Sequence, residues 1–168
     1  TVEEIRQSLS YLANYSLYAY EGEIRQGYLT LPGGHRLGLV GRAVLEGDRI
    51  TSLMEISALN LRLAHEKKGC ADSVISCLWE QDNLCDTLVI SPPGGGKTTL
   101  LRDCIRQISD GTKEHRGRTV GVVDERSEIA GCCRGVPEND VGMRTDVLDG
   151  CPKTLGMRML LRSMAPEV

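Results

Sequence analysis

The run Ser91-Pro92-Pro93-Gly94-Gly95-Gly96-Lys97-Thr98-Thr99 constrains this chain more than any other part of it. Three consecutive glycines carry no Cβ and let successive backbone N–H groups turn inward around one point. Before them, Thr87-Leu88-Val89-Ile90 reads as a short apolar strand of a sheet buried on both faces. After them, Leu100, Leu101, Cys104, Ile105 and Ile108 fall on one side of a helix expected over Lys97 to Ser109. Strand, glycine loop and helix together form the setting in which a phosphate chain is held, because the helix start adds unpaired N–H donors and a positive dipole end. The residue types then divide the task. Pro93, Gly94, Gly95 and Gly96 line the loop, Lys97 reaches the β and γ phosphates, the Thr98 hydroxyl completes a Mg²⁺ shell, and Thr99 reaches toward the α phosphate. The expected ligand is a nucleoside triphosphate with Mg²⁺.

One position departs from the pattern. It opens with glycine, and this chain has Ser91 there. If that position needs a positive φ, serine costs on the order of 1 kcal/mol.

A second element is Val120-Gly121-Val122-Val123-Asp124-Glu125, an apolar strand ending in two carboxylates. In a parallel sheet this strand is expected near the phosphate-loop strand, with both acids at the ligand edge. Read alone, it looks like a Walker B segment, with Asp124 ordering Mg²⁺ through water and Glu125 polarising the attacking water. The bland alternative is a strand terminus with solvated acids.

The rest of the chain frames these motifs. At 168 residues it holds one ordinary domain plus a small one. Helical spacing of Val2, Ile5, Leu9 and Leu12 predicts one helix, or two in succession, over residues 2 to 26. Strands are expected at Tyr28 to Leu31, Arg36 to Val40, Arg42 to Leu45 and Ile50 to Leu63, with turns at Pro32-Gly33-Gly34 and Glu46-Gly47-Asp48. Residues 1–70 therefore read as an α+β unit with an antiparallel sheet. Residues 71–168 read as an α/β core, opening with a helix over Ala71 to Gln81. The chain begins at Thr1 rather than Met and stops at Val168, just after a helical pattern, so it is expected to be a piece of a longer protein.

Composition excludes several classes. A net charge of -3 and aromatics at only 4% argue against a nucleic-acid surface. No apolar run reaches the length of a membrane helix. Seven cysteines in no metal-like spacing read as reduced thiols of a cytoplasmic chain, with Cys132-Cys133 the only close pair. His35, His65 and His115 are scattered and read as surface or packing residues.

Several longer strings carry a more specific resemblance. The phosphate loop through Asp103, Val123 to Gly131, Arg144 to Asp149 and Gly156 to Val168 resemble the stage III sporulation protein AA family. So do Gly27 to Thr30, Gly33 to Gly38 and Leu59 to Arg62 in the first half. That family is similar to the type II and type IV secretion and pilus-retraction ATPases, which work as hexameric rings. The resemblance implies a P-loop core of the RecA/AAA type, C-terminally truncated here, and a subunit that binds and hydrolyses ATP with Mg²⁺. It implies self-association into a ring and membrane channel proteins of the sporulation apparatus as partners. It also implies a mother-cell cytoplasmic location at the forespore membrane. The alternative is a nucleotide-gated assembly protein with negligible turnover.

The resemblance also changes the reading of the acids. Secretion ATPases carry an acidic box before Walker B, and Asp124-Glu125 occupies its place. The true Walker B strand is then expected immediately after Val168, with Lys97 and Glu125 as the catalytic pair present in this chain. A neighbouring subunit is expected to supply an arginine, with Arg126, Arg134, Arg144, Arg158 and Arg162 as candidates and ordinary ion pairing as the alternative for each.

Overall fold

Gly41 shapes the longest feature of the first half. In the computed structural model, which describes residues 1–168, β1 (Tyr28–Leu31), β2 (His35–Glu46) and β3 (Arg49–Arg62) form one antiparallel sheet in the order β1-β2-β3. The two strands expected on either side of Gly41 are one strand with a bulge. The β2–β3 register slips between Val40 and Arg42, and a Cβ at Gly41 would lie 2.5 Å from the Met54 carbonyl oxygen.

Two helices cover this sheet. Thr1 caps α1 (Val2–Leu12), its hydroxyl accepting from the Glu4 N–H at 3.3 Å. A single 3₁₀ turn at Leu17–Tyr20 leads into α2 (Glu21–Arg25), so the N-terminal helical pattern resolves into successive pieces. Leu9, Ala13, Tyr20, Leu29, Leu31, Leu37, Leu39 and Ile56 form the core between helices and sheet. This unit spans Thr1–Ala64; the second spans His65–Val168, against an expected boundary near residue 70.

In the second unit the segment expected to be helical over Ala71 to Gln81 takes another form. It is a run of turns ending in a 3₁₀ turn at Ile75–Leu78, followed by a tight hairpin of β4 (Trp79–Glu80) and β5 (Asn83–Leu84). Val74, Ile75, Leu78 and Trp79 still face inward, so helical spacing records burial here rather than a helix. The long helix α3 (Lys97–Asp110) lies where expected and stops at Gly111, which has φ +90°. β6 (Val120–Asp124) pairs in parallel with β7 (Thr145–Asp149), and α4 (Lys153–Ser163) packs on β6. Ile105, Ile108, Val120, Val122, Ala130 and Val141 are central to the core.

The apolar run Thr87 to Ile90 is a correction. It forms no strand and pairs with none, and Leu88 and Ile90 are each 81% exposed. Between this run and β6 lies an apolar cavity of about 550 Å³, walled by Leu78, Leu84, Leu100, Cys104, Ile105 and Val120. The run is therefore not beside β6 in a common sheet.

Candidate nucleotide site

The loop leading into α3 is built around two left-handed glycines, Gly94 at φ +75° and Gly96 at φ +81°. A Cβ at either would meet nothing within 4 Å, so their task is backbone direction and an open approach. Gly95 is different: a Cβ there would lie 2.7 Å from Ser91 Oγ and 3.0 Å from the Pro92 carbonyl oxygen. The Gly95 N–H donates to that Pro92 oxygen at 3.1 Å, which closes the loop on itself. Gly96 caps α3 with no side-chain hydrogen bond, so the first-turn N–H groups of the helix have no cap from within the chain. This chemistry fits a polyphosphate.

Lys97 folds back over the loop. Its Nζ donates to the Ser91 carbonyl oxygen at 2.9 Å, the Pro92 carbonyl oxygen at 3.1 Å and Ser91 Oγ at 3.3 Å. Ser91 is not among the residues with positive φ, so the strain expected of a serine at this position is absent. Thr98 and Thr99 follow in the first turn of α3, both half-buried, and the Thr99 carbonyl accepts from Cys70 Sγ at 3.5 Å. Pro93 stands exposed at the outer edge of the loop.

The two acids at the end of β6 have separate surroundings. Asp124 is 3% exposed, and its carboxylate accepts from the N–H groups of Glu128, Ile129 and Ala130 at 2.9, 2.8 and 2.9 Å. The side chain expected to order Mg²⁺ is thus engaged in holding the chain's own loop. Glu125 is more open and pairs with Lys153 Nζ at 3.2 Å. Asp149, at the end of β7, accepts from Ser127 Oγ at 2.5 Å. Burial pushes its carboxyl above the ordinary range; the Ser127 hydroxyl opposes that, and neighbouring Asp124 adds to it.

A scan against protein families matches the model described as "Sporulation stage III, protein AA" over residues 1–168. The chain belongs to that family. It is 48% identical over its whole length to Stage III sporulation protein AA of Bacillus subtilis (strain 168), covering 54% of that protein. It is also 34% identical over 89 residues, 53% of the chain and 12% of the relative, to the Arabidopsis thaliana protein SEEDLING PLASTID DEVELOPMENT 1. The chain therefore spans about half the length of its bacterial relative. No solved structure matches it.

In this sporulation stage III AA chain, one residue of the site escapes motif reading. Arg102, one face along α3 from the loop, is buried and donates from Nε to the Ile129 carbonyl oxygen at 2.5 Å and from its terminal nitrogen to that of Glu128 at 2.7 Å. In the sequence it stands only as an arginine within the string through Asp103 that carries the family resemblance, with nothing to mark it as buried. Among the candidate arginines, Arg144 is occupied at the Ser109 carbonyl oxygen, 3.1 Å away. Of the histidines, His35 Nδ1 accepts from the Ala64 N–H at 3.0 Å, and His115 stacks on Trp79 with centroids 4.1 Å apart. No helix of the chain is long and apolar enough to cross a membrane.

Proposed function

We propose that this member of the stage III AA family is the nucleotide-binding part of an ATPase subunit that takes ATP with Mg²⁺ at residues 93–99. The observation that carries the reading is the loop itself: two left-handed glycines with open space above them, an uncapped helix start and a lysine ammonium group on the same rim. In this reading the loop amides and Lys97 would hold the phosphates, and the Thr98 hydroxyl would be a ligand for the metal. Bound Mg²⁺ would supply charge neutralisation at the β and γ oxygens. Glu125 would polarise water once freed from Lys153.

Hydrolysis coupled to rearrangement of an oligomeric ring, and through it to a sporulation channel complex, extends the proposal. Exposed apolar side chains along α4, among them Leu155, Met159 and Leu161, support an interface there. The second reading is a nucleotide-gated assembly protein with negligible turnover. It is favoured by the engagement of Asp124 in its own loop and by the Glu125–Lys153 pair.

Val168 lies along β6. Its N–H donates to the Thr119 carbonyl oxygen at 3.1 Å, and its own carbonyl accepts from the Gly121 N–H at 2.8 Å. Those two bonds are one rung of a parallel ladder, on the edge of β6 opposite β7. Val168 and Val120 also line the apolar cavity beside Thr87 to Val89.

Phosphate release by the full-length protein, measured beside Lys97→Ala, tests the enzyme reading. A wild-type rate that falls at least about tenfold in the variant is expected. Equal rates would leave the assembly reading in its place.

A further inference from the structure

The phosphate loop holds its own competitor for Lys97. An ammonium group has three N–H donors, and the three acceptors around Lys97 Nζ are all in the loop: the carbonyl oxygens of Ser91 and Pro92, and Ser91 Oγ. The hydroxyl has an acceptor of its own. Ser91 Oγ–H donates to the Pro92 carbonyl oxygen at 3.1 Å, which leaves an oxygen lone pair for the ammonium. The backbone at Ser91 is not left-handed, so the side chain sits there without strain, and the missing Cβ of Gly95 makes room for its oxygen.

We propose that Ser91 is a positioning residue that holds Lys97 on the loop in the nucleotide-free state and weakens nucleotide affinity by competing with phosphate for that ammonium group. The proposal rests on the nucleotide reading above and adds to it a residue that tunes affinity. A phosphate oxygen reaching Lys97 must displace at least one of three satisfied bonds. Without the hydroxyl, one N–H is already free while both carbonyls remain.

The test is calorimetric titration of the full-length protein with Mg-ATP, comparing wild type, Ser91→Ala and Ser91→Gly, with thermal unfolding of each free protein as the check of folding. Removal of the hydroxyl is expected to tighten binding about two- to tenfold, the equivalent of one net hydrogen bond. Repeating Ser91→Ala in the K97A background separates the mechanism from a general change in the loop, since the gain is expected to vanish without the lysine. Wild-type binding with unchanged or weaker affinity in both serine variants overturns the proposal and leaves the nucleotide reading intact. A gain that persists in the K97A background also overturns it. Absence of any wild-type binding removes the nucleotide reading and this inference together.

Discussion

Arg102 and Asp124 grip the same loop from opposite chemical sides and share Glu128 and Ile129. The guanidinium donates to the carbonyl oxygens of Glu128 and Ile129, and the carboxylate accepts from the N–H groups of Glu128, Ile129 and Ala130. Arg102 sits on the helix that begins at the phosphate loop, and Asp124 ends the acidic strand, so the loop after β6 is tied to both.

The first expectation concerns this clamp. Asp124→Ala leaves three N–H groups without their acceptor in a buried place and is expected to cost about 3 kcal/mol or more. Arg102→Ala is expected to cost about 2 kcal/mol through the two abandoned carbonyls and the lost packing. Urea unfolding of both variants checks this. An Asp124→Ala chain as stable as wild type would mean that the carboxylate is not structural.

A packing contact gives the second. A Cβ at Gly156 on α4 would lie 2.5 Å from Val123 Cγ1 on β6. Gly156→Ala is expected to lower stability by about 1–3 kcal/mol, despite alanine's higher helix propensity. A stabilised variant in thermal unfolding would contradict the close approach of helix and strand.

The third is a pH dependence. Burial alone would raise the Asp103 carboxyl, but the Ala71 N–H at 2.8 Å and the Arg106 guanidinium at 2.7 Å outweigh it and hold the carboxyl below its ordinary 3.8. A carboxyl depressed on folding contributes stability in full above its ordinary value and loses it as pH falls through the lower folded value. Asp103→Asn is therefore expected to be less stable than wild type at neutral pH, with a gap that narrows below pH 3.8. Urea midpoints against pH measure this, and a constant gap down to about pH 2 would refute the assignment.

The fourth concerns thiols. Cys132 is buried, and burial pushes its thiol up to about 12, with Asp149 and Asp124 adding to the effect. Cys77 is exposed. Alkylation of the folded chain at mild alkaline pH is expected to modify Cys77 and spare Cys132, as read by peptide mass. Rapid labelling of Cys132 would show that the loop after β6 opens readily.

Where the sequence could be read, local chemistry decided the structure. Tyr28–Leu31, α3 and β6 lie within a residue of their expected bounds because turn glycines and unbroken apolar runs fix them. Ala71 to Gln81 misled because its inward-facing residues repeat at helical spacing while Trp79 pairs with Leu84 across a tight turn. Thr87 to Ile90 misled because apolar composition records what a strand could bury, whereas no strand lies beside this run to pair with it and Leu88 and Ile90 stay exposed. β7, with Asp146 and Asp149 inside the strand, has no apolar run to notice. At the site, the glycines and Lys97 were legible from spacing alone. The engagement of Asp124 was not, since its partners are backbone amides that any sequence would provide.

The most direct measurement is calorimetric titration of this chain with Mg-ATP beside Lys97→Ala. Saturable binding by the wild type, weakened at least about tenfold in the variant, is the expected result. A folded, monodisperse wild-type sample that gives neither heat nor saturation at millimolar ligand would contradict the central claim that residues 93–99 hold a nucleotide's phosphates.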